Sequence, residues 1–464
     1  MNYTDPVFFV FFAATFTLYY SLRDGRLQLL ALVAASLFFY SWEAPQILPV
    51  FLCSWLITGL TSRAVLQTTD SRRARWAAVS GVVANLGLLG FFKYKFLFFR
   101  PESDAVARSL GEWLLLAPLP IGISFYTFHG ISLLVDVWRG NEAIGRRATL
   151  RGYLSDSLLY LVFFPQLIAG PIIKAKDFFP QVGAKRLADI DFAGCFRILV
   201  LGFFLKTVVA DNLNSQTFWI AYPYFLSKSS IDLLLLLVGY SAQIFADFAG
   251  YSLIAIGLAR LLGYRLPDNF NFPYAASSIA EFWRRWHISL SSWLRDYLYV
   301  PLGGSRRGEL RTYVNLMIVM FLGGLWHGAA WSFAVWGLWH GVGLALERRW
   351  LGSRFLRSTH DGVVLLRIVI VFSFVTLGWL FFKLQDFRQA VAYLQALANS
   401  PVRGVATGAA MLITLYGSAV LCYHVAHRFR HRIGRQTADV LYGLMLFLII
   451  TSAGSPVPFI YFQF

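Results

Sequence analysis

Apolar stretches near the ~20 residues that a helix needs to cross hydrocarbon recur from one end of this 464-residue chain to the other. Lipid leaves only helices or closed barrels as spanning structures, and continuous apolar runs without alternation exclude a barrel. Expected spans lie at about 6–22, 27–42, 45–62, 76–99, 113–137, 153–169, 193–210, 231–262, 329–346, 363–383, 406–426 and 438–453, each boundary loose by several residues. Hydrophobic residues make up 57% and charged residues 14% of the chain, too little charge to coat a soluble protein of this length. The expectation is therefore an all-α, polytopic membrane protein with 11–12 spans, forming one domain over residues 1–464. The net charge of +17 sits on arginines in short loops between spans. That is the positive-inside pattern and not a nucleic-acid-binding face. No basic residue precedes the first apolar run and no small-residue cleavage site follows it, so that run reads as a retained span. Arg23 and Arg26 after it place the N-terminus outside and the first loop in the cytoplasm. Cys53, Cys195 and Cys422 are too scattered for a metal site or disulfides.

Three regions depart from simple spans. Pro118 and Pro120 open the fifth span, and Phe163-Phe-Pro165-Gln-Leu-Ile-Ala-Gly170-Pro171 interrupts the sixth. Such breaks free backbone groups that protein or water must satisfy, and they usually line a cavity. Residues Ser278–Val300 read as one amphipathic helix at the cytoplasmic interface. Arg284, Arg285, Ser289, Ser292, Arg295 and Asp296 take one side, and Trp283, His287, Leu290 and Leu294 the other. Tyr313–Phe321 is too short to span and closes at Gly323-Gly324, which reads as a re-entrant segment carrying Trp326-His327-Gly328 inward.

An ionisable side chain near hydrocarbon is costly and is presumed functional, and imidazole exchanges a proton near neutrality while staying neutral at depth. His287, in Glu281-Phe-Trp-Arg-Arg-Trp-His287, and His327, in Gly323-Gly-Leu-Trp-His327-Gly, are therefore the sites expected to carry chemistry. Trp-His-Gly recurs at 339–341. Thirteen positions at about 100° each leave about 220° after whole turns, so one straight helix aims His327 and His340 almost oppositely. His340 is read as structural. Asp247, inside the span beginning near 231, suits orienting a histidine, binding a cation or pairing with an arginine, and a structural ion pair or hydrogen bond is the favoured reading. No nucleophile elbow, phosphate-cradling glycine loop or His-Glu-x-x-His metal motif is present. That absence favours direct transfer between two bound substrates.

Long ordered motifs resemble the membrane-bound O-acyltransferase superfamily, and within it the polysaccharide branch that includes alginate O-acetyltransferases. They are Leu119-Pro-Ile-Gly-Ile-Ser-Phe-Tyr-Thr-Phe, Phe164–Pro171, Asn269–Gly304, Gly323-Gly-Leu-Trp-His-Gly328 and the terminal Pro458–Phe464. The resemblance implies a helical ring around a central channel, His327 as catalytic residue and His287 as its partner. It also implies a cytosolic acyl thioester donor and an extracytoplasmic acceptor. The family commonly reads Gly-Tyr-Ser-Asp where this chain has Gly250-Tyr-Ser-Leu253, which leaves Asp247 as the nearest substitute carboxylate.

On that basis His327 takes the proton of an acceptor hydroxyl as it attacks the thioester of acetyl-CoA. His287 or a backbone amide near Gly323–Gly324 stabilises the oxyanion. Arg284, Arg285, Arg295, Arg306 and Arg307 suit the CoA phosphates, although positive-inside anchoring explains any single one equally well. The implied partners are membrane lipids, the acyl thioester, and periplasmic acetyltransferase or polysaccharide-assembly proteins. The implied location is the inner membrane. Alginate, cellulose, peptidoglycan, lipid and teichoic-acid acceptors stay open, as does transfer to the polymer directly or through a relay protein. The competing class, a secondary transporter or channel, shares broken helices and buried ionisable groups but predicts inverted-repeat halves, which the sequence lacks.

Overall fold

The computed structural model describes residues 1–99, 109–141, 143–144, 149–167, 170–350, 352–401, 407–429 and 434–459. Residues 168–169 of the Phe164–Pro171 motif, residue 406 at the start of one expected span, and residues 460–464 of the terminal motif lie outside the described residues. The described elements are all helices, and the protein is a multi-pass membrane protein. Among the described residues each expected span falls on helical chain, and six helical stretches are long and apolar enough by themselves to cross a bilayer. The spans carrying Pro120 and Pro165 are each divided, into Leu110–Leu116 with Ile123–Trp138 and into Leu150–Val162 with Phe164–Leu167. Contacts group the chain into two units, Met1–Cys195 with Ala255–Pro267, and Phe196–Ile254 with Asp268–Phe464.

In the first unit, carboxylates start two helices. Asp24 accepts from the Arg26 and Leu27 amides and Asp70 from those of Arg72 and Arg73, satisfying donors that a helix leaves unpaired at its first turn. Small and polar side chains hold the helices together where the hydrophobic effect offers no preference. Asn85 accepts from Ser54 at 2.6 Å and donates to Thr58 at 3.0 Å. Protein groups satisfy part of the Phe163–Pro171 break among the described residues. Tyr3 donates its hydroxyl to the Phe164 and Pro165 carbonyls, and the Gln166 amide donates to the Tyr160 carbonyl at 2.6 Å.

In the second unit, the segment expected to be re-entrant is a regular 19-residue helix, Glu309–His327, about 28 Å long at 1.5 Å per residue. It turns back through an extended Gly328 into Trp331–Arg349. The apolar run looked short because polar residues of the preceding turns belong to the same helix. Gly323 and Gly324 do not end it. They let its neighbour approach: a Cβ on Gly324 would strike the Phe333 carbonyl, and one on Gly337 would strike that of Met320. Gly337 and Gly341 form a glycine-x-x-x-glycine contact face that includes the second Trp-His-Gly.

Alanine at Gly324 should therefore destabilise the protein by about 1–3 kcal/mol through overpacking, despite alanine's better helix propensity. Gly417 lies in the Thr407–Phe429 helix with open space at its Cβ position, so Gly417→Ala should be neutral or stabilising. Thermal unfolding of the two variants in detergent checks the contrast.

Candidate functional site

The single amphipathic helix expected over 278–300 is broken at His287. Ile279–Arg285 ends there, Ile288–Leu294 begins, and His287 bridges them in the left-handed region at φ 43°, ψ 53°. A non-glycine residue pays for that conformation and holds it only where its surroundings impose it. The neighbouring strand of chain supplies the constraint. The Asn269 carbonyl accepts from the Ile288 amide at 2.9 Å, and the Asn271 amide donates to the Arg285 carbonyl at 2.9 Å. Helical periodicity therefore does not order this stretch. Ser289, assigned to the polar side, is buried with Leu290 and Leu294.

The Asn269 side chain is buried and meets four groups. Its Oδ1 lies 3.0 Å from His287 Nδ1, accepts the Ser289 hydroxyl at 2.9 Å, and faces the Ser289 amide at 3.4 Å. Its Nδ2 donates to Ser252 Oγ at 2.9 Å. A backbone amide only donates, so the Asn269 atom facing Ser289 is oxygen. His287 must then carry its proton on Nδ1, which leaves a lone pair on Nε2 when the ring is neutral.

His327 is the last residue of its helix and is buried. The Trp326 indole neighbours both imidazoles, its centroid 6.1 Å from that of His287 and 5.1 Å from that of His327. His327 packs edge-on against Trp336 at 5.0 Å and against Phe382 at 5.2 Å. The chain between the two Trp-His-Gly motifs is broken, so their histidines do not point apart as on one helix. His340 touches the same Trp336 ring at 4.9 Å. His340 also lies against Phe282, Trp283 and Phe374 with neither ring nitrogen hydrogen-bonded among the described residues, which fits a packing role. The Trp336 indole N–H is buried as well and has no acceptor among the described residues. Such a group calls for a physical reason.

The intramembrane carboxylate Asp247 pairs with a lysine. Lys206 Nζ sits 2.8 Å from Asp247, 2.7 Å from Asp211 and 2.8 Å from the Val457 carbonyl, with all three side chains buried. This triad anchors the chain after the last helix, whose Gly454 amide donates to the Thr207 carbonyl at 2.8 Å. Phe459 then packs at a tilt against Tyr251 at 4.4 Å and Phe248 at 5.7 Å, and Phe248 packs edge-on to His287 at 4.6 Å.

Residues 153–385, which hold both histidines, match the membrane-bound O-acyltransferase family. The chain is 39% identical to a probable alginate O-acetylase of Azotobacter vinelandii over 83% of its own length and 76% of the relative's. The chain belongs to the membrane-bound O-acyltransferase family. It is an acyltransferase. It is also 35% identical to a peptidoglycan O-acetyltransferase of Helicobacter pylori, over 86% of this chain and 80% of that one. A teichoic acid D-alanyltransferase of Bacillus subtilis is 29% identical over 58% of this chain and 69% of its own.

Within this acyltransferase, the five arginines considered for phosphate binding are not equivalent. Arg285 is held by Glu281 at 2.6 Å and Arg295 by Asp296 at 2.8 Å, whereas Arg284, Arg306 and Arg307 have no ion-pair partner among the described residues. The amides of Gly323 and Gly324 lie inside a regular helix and are consumed by its own hydrogen bonds, which removes them as oxyanion donors. Sequence reasoning missed Asn269, Ser252, Trp336 and Lys206. Asn269 begins one of the family-like motifs, but only tertiary contact reveals its partner.

Removing Lys206 would leave two buried carboxylates without their cation, which costs about 3–5 kcal/mol for a buried pair. Lys206→Met should sharply lower the midpoint of thermal unfolding. Adding Asp211→Asn and Asp247→Asn to that variant should recover much of the loss.

Proposed function

We propose that this enzyme moves acetyl from acetyl-CoA on the cytosolic side of the inner membrane to hydroxyls of an extracytoplasmic polysaccharide such as alginate. The transfer runs directly or through a periplasmic acetyltransferase or assembly protein. The observation that carries the reading is the pair of buried imidazoles that share Trp326 as a neighbour, one with its tautomer set by Asn269. His327 acts as general base: the acceptor oxygen attacks the thioester carbonyl as its proton passes to His327. The carbon–sulfur bond then breaks, and the proton passes to the departing thiolate. Base catalysis of this kind contributes about 10²–10⁴-fold. His287 accepts a hydrogen bond through Nε2 and so orients the protic group approaching His327. A neutral His287 with its proton on Nδ1 has no donor to offer an oxyanion. The Trp336 N–H, beside His327 and unpartnered among the described residues, takes that role. Arg284, Arg306 and Arg307 hold the CoA phosphates.

The names of relatives support this choice of reaction, since the alginate and peptidoglycan enzymes transfer acetyl to oxygen. Purified enzyme in nanodiscs, given radiolabelled acetyl-CoA with oligomannuronate and with peptidoglycan fragments, tests donor and acceptor together. His327→Ala should abolish acetylation while the protein still elutes as a folded species; retained transfer refutes its role. Trp336→Phe keeps an aromatic ring and loses the N–H, so kcat should fall about 10²–10³-fold with KM little changed, and a variant that still elutes as a folded species separates this loss from the smaller ring's looser packing.

Asn269 is a positioning residue. Asn269→Asp keeps the acceptor but adds charge beside the Nδ1 proton, which favours imidazolium. If the neutral ring is the active form, the acid limb of the pH–rate profile should move to higher pH. Asn269→Leu should lower kcat without that displacement.

A further inference from the structure

Apart from the histidine site, the first unit contains a cavity of about 820 Å³. Lys185, Arg260 and Arg265 line it, together with Tyr264, and none of these three cations has an ion-pair partner among the described residues. Arg186, also on the wall, is neutralised by two hydrogen bonds to Asp189, both 3.1 Å. Asp191 is engaged by the Gly194 amide at 2.9 Å.

Two of the cations stand on backbone that is clamped. The Gln28 side chain accepts from the Lys185 amide at 2.8 Å and donates to the Lys185 carbonyl at 3.0 Å. The Gln181 side chain does the same for Arg265, at 2.7 Å and 3.1 Å. Lys185 lies over the Tyr264 ring, 4.8 Å from its centroid. Ala184 presses against the start of the Gly25–Ser41 helix, where a Cβ on Gly25 would come within 3.0 Å of it. Flexible basic side chains that merely orient a membrane protein need no such bracing. A binding site gains from it, because the ordering cost is met before the ligand arrives. Burial and the neighbouring Arg265 charge push the Lys185 ammonium below the ordinary lysine range, a penalty that an anion between the two cations would reverse.

We propose that Lys185, Arg260 and Arg265 form a binding site for a phosphate ester, presented by an anionic phospholipid headgroup or by a soluble phosphate such as that of CoA. Guanidinium groups match phosphate oxygens in a planar fork, and the ammonium adds a point charge. The face is the one carrying Arg23 and Arg26, which the positive-inside argument assigns to the cytosol. The site stands independently of the acyl-transfer reading, because its test reads binding.

The test uses the full chain in nanodiscs. One arm titrates CoA and inorganic pyrophosphate against protein in phosphatidylcholine. The other measures retention of phosphatidylglycerol from phosphatidylcholine–phosphatidylglycerol discs by native mass spectrometry. Arg260→Gln with Arg265→Gln should weaken the occupying probe about tenfold or more, and Arg260→Lys with Arg265→Lys should restore part of it. Arg72→Gln with Arg75→Gln removes the same charge from exposed helix positions and should change nothing. Saturable binding of CoA or pyrophosphate that the Arg260→Gln, Arg265→Gln pair weakens identifies a soluble ligand of this cavity, and phosphatidylglycerol retention lost in the same pair identifies a lipid. The proposal is overturned if no probe binds saturably, if the cavity pair leaves binding unchanged, as it would for CoA held only at Arg284, Arg306 and Arg307, or if the control pair weakens binding as much as the cavity pair. Elution of every variant as a folded species in size-exclusion chromatography separates lost binding from lost structure.

Discussion

Backbone contact between two helices sets the position of the catalytic candidate. The Glu309–His327 helix meets Trp331–Arg349 at Gly324 and Gly337, where neither residue has room for a Cβ. In lipid, apolar side chains gain little by leaving one hydrocarbon surface for another, so close packing of small residues is what joins helices. That approach forces the chain to reverse within the few residues after His327. The reversal places His327 at a helix end and brings Trp336 and Phe382 onto its ring. The two Trp-His-Gly copies therefore differ in geometry: the first ends a helix, whereas the second lies mid-helix inside a glycine contact face, and both histidines pack among rings.

The second imidazole depends on a different constraint. Its left-handed backbone would unwind if the Asn269–Asn271 segment did not hydrogen-bond both flanking helices. The same asparagine sets the position of the proton on the ring. Fold and chemistry converge on one residue. Asn269 Nδ2 donates to Ser252, and its Oδ1 accepts from the Ser289 hydroxyl and from His287 Nδ1.

Much of this was legible in the chain. Hydropathy placed every span on a helix, because lipid permits no other solution for long apolar runs. His287 and His327 stood out because ionisable groups are rare at such depth. Errors arose wherever local pattern competed with tertiary hydrogen bonding. The 278–300 stretch has helical periodicity, yet the hydrogen bonds of Asn269 break it at His287. Gly323 and Gly324 read as terminators, since glycine commonly ends helices, although here they serve close packing. Lys206 hid in an apolar run, and its pairing with Asp211 and Asp247 joins residues far apart in sequence. No periodicity encodes such a contact.

The choice of an amide to orient His287 bears on the reaction. In a serine-protease triad a buried aspartate orients the histidine and also stabilises its cation. A carboxylate in that place would favour imidazolium and would require an ion pair to be buried beside hydrocarbon, where desolvation often outweighs the attraction. Asparagine orients the ring without adding that charge. This chain instead neutralises Asp247 and Asp211 with Lys206 in a separate cluster. The proposed transfer from a thioester calls for no more than a neutral, oriented imidazole, because the leaving thiolate reclaims the proton within the same encounter and no long-lived cation has to be held beside hydrocarbon.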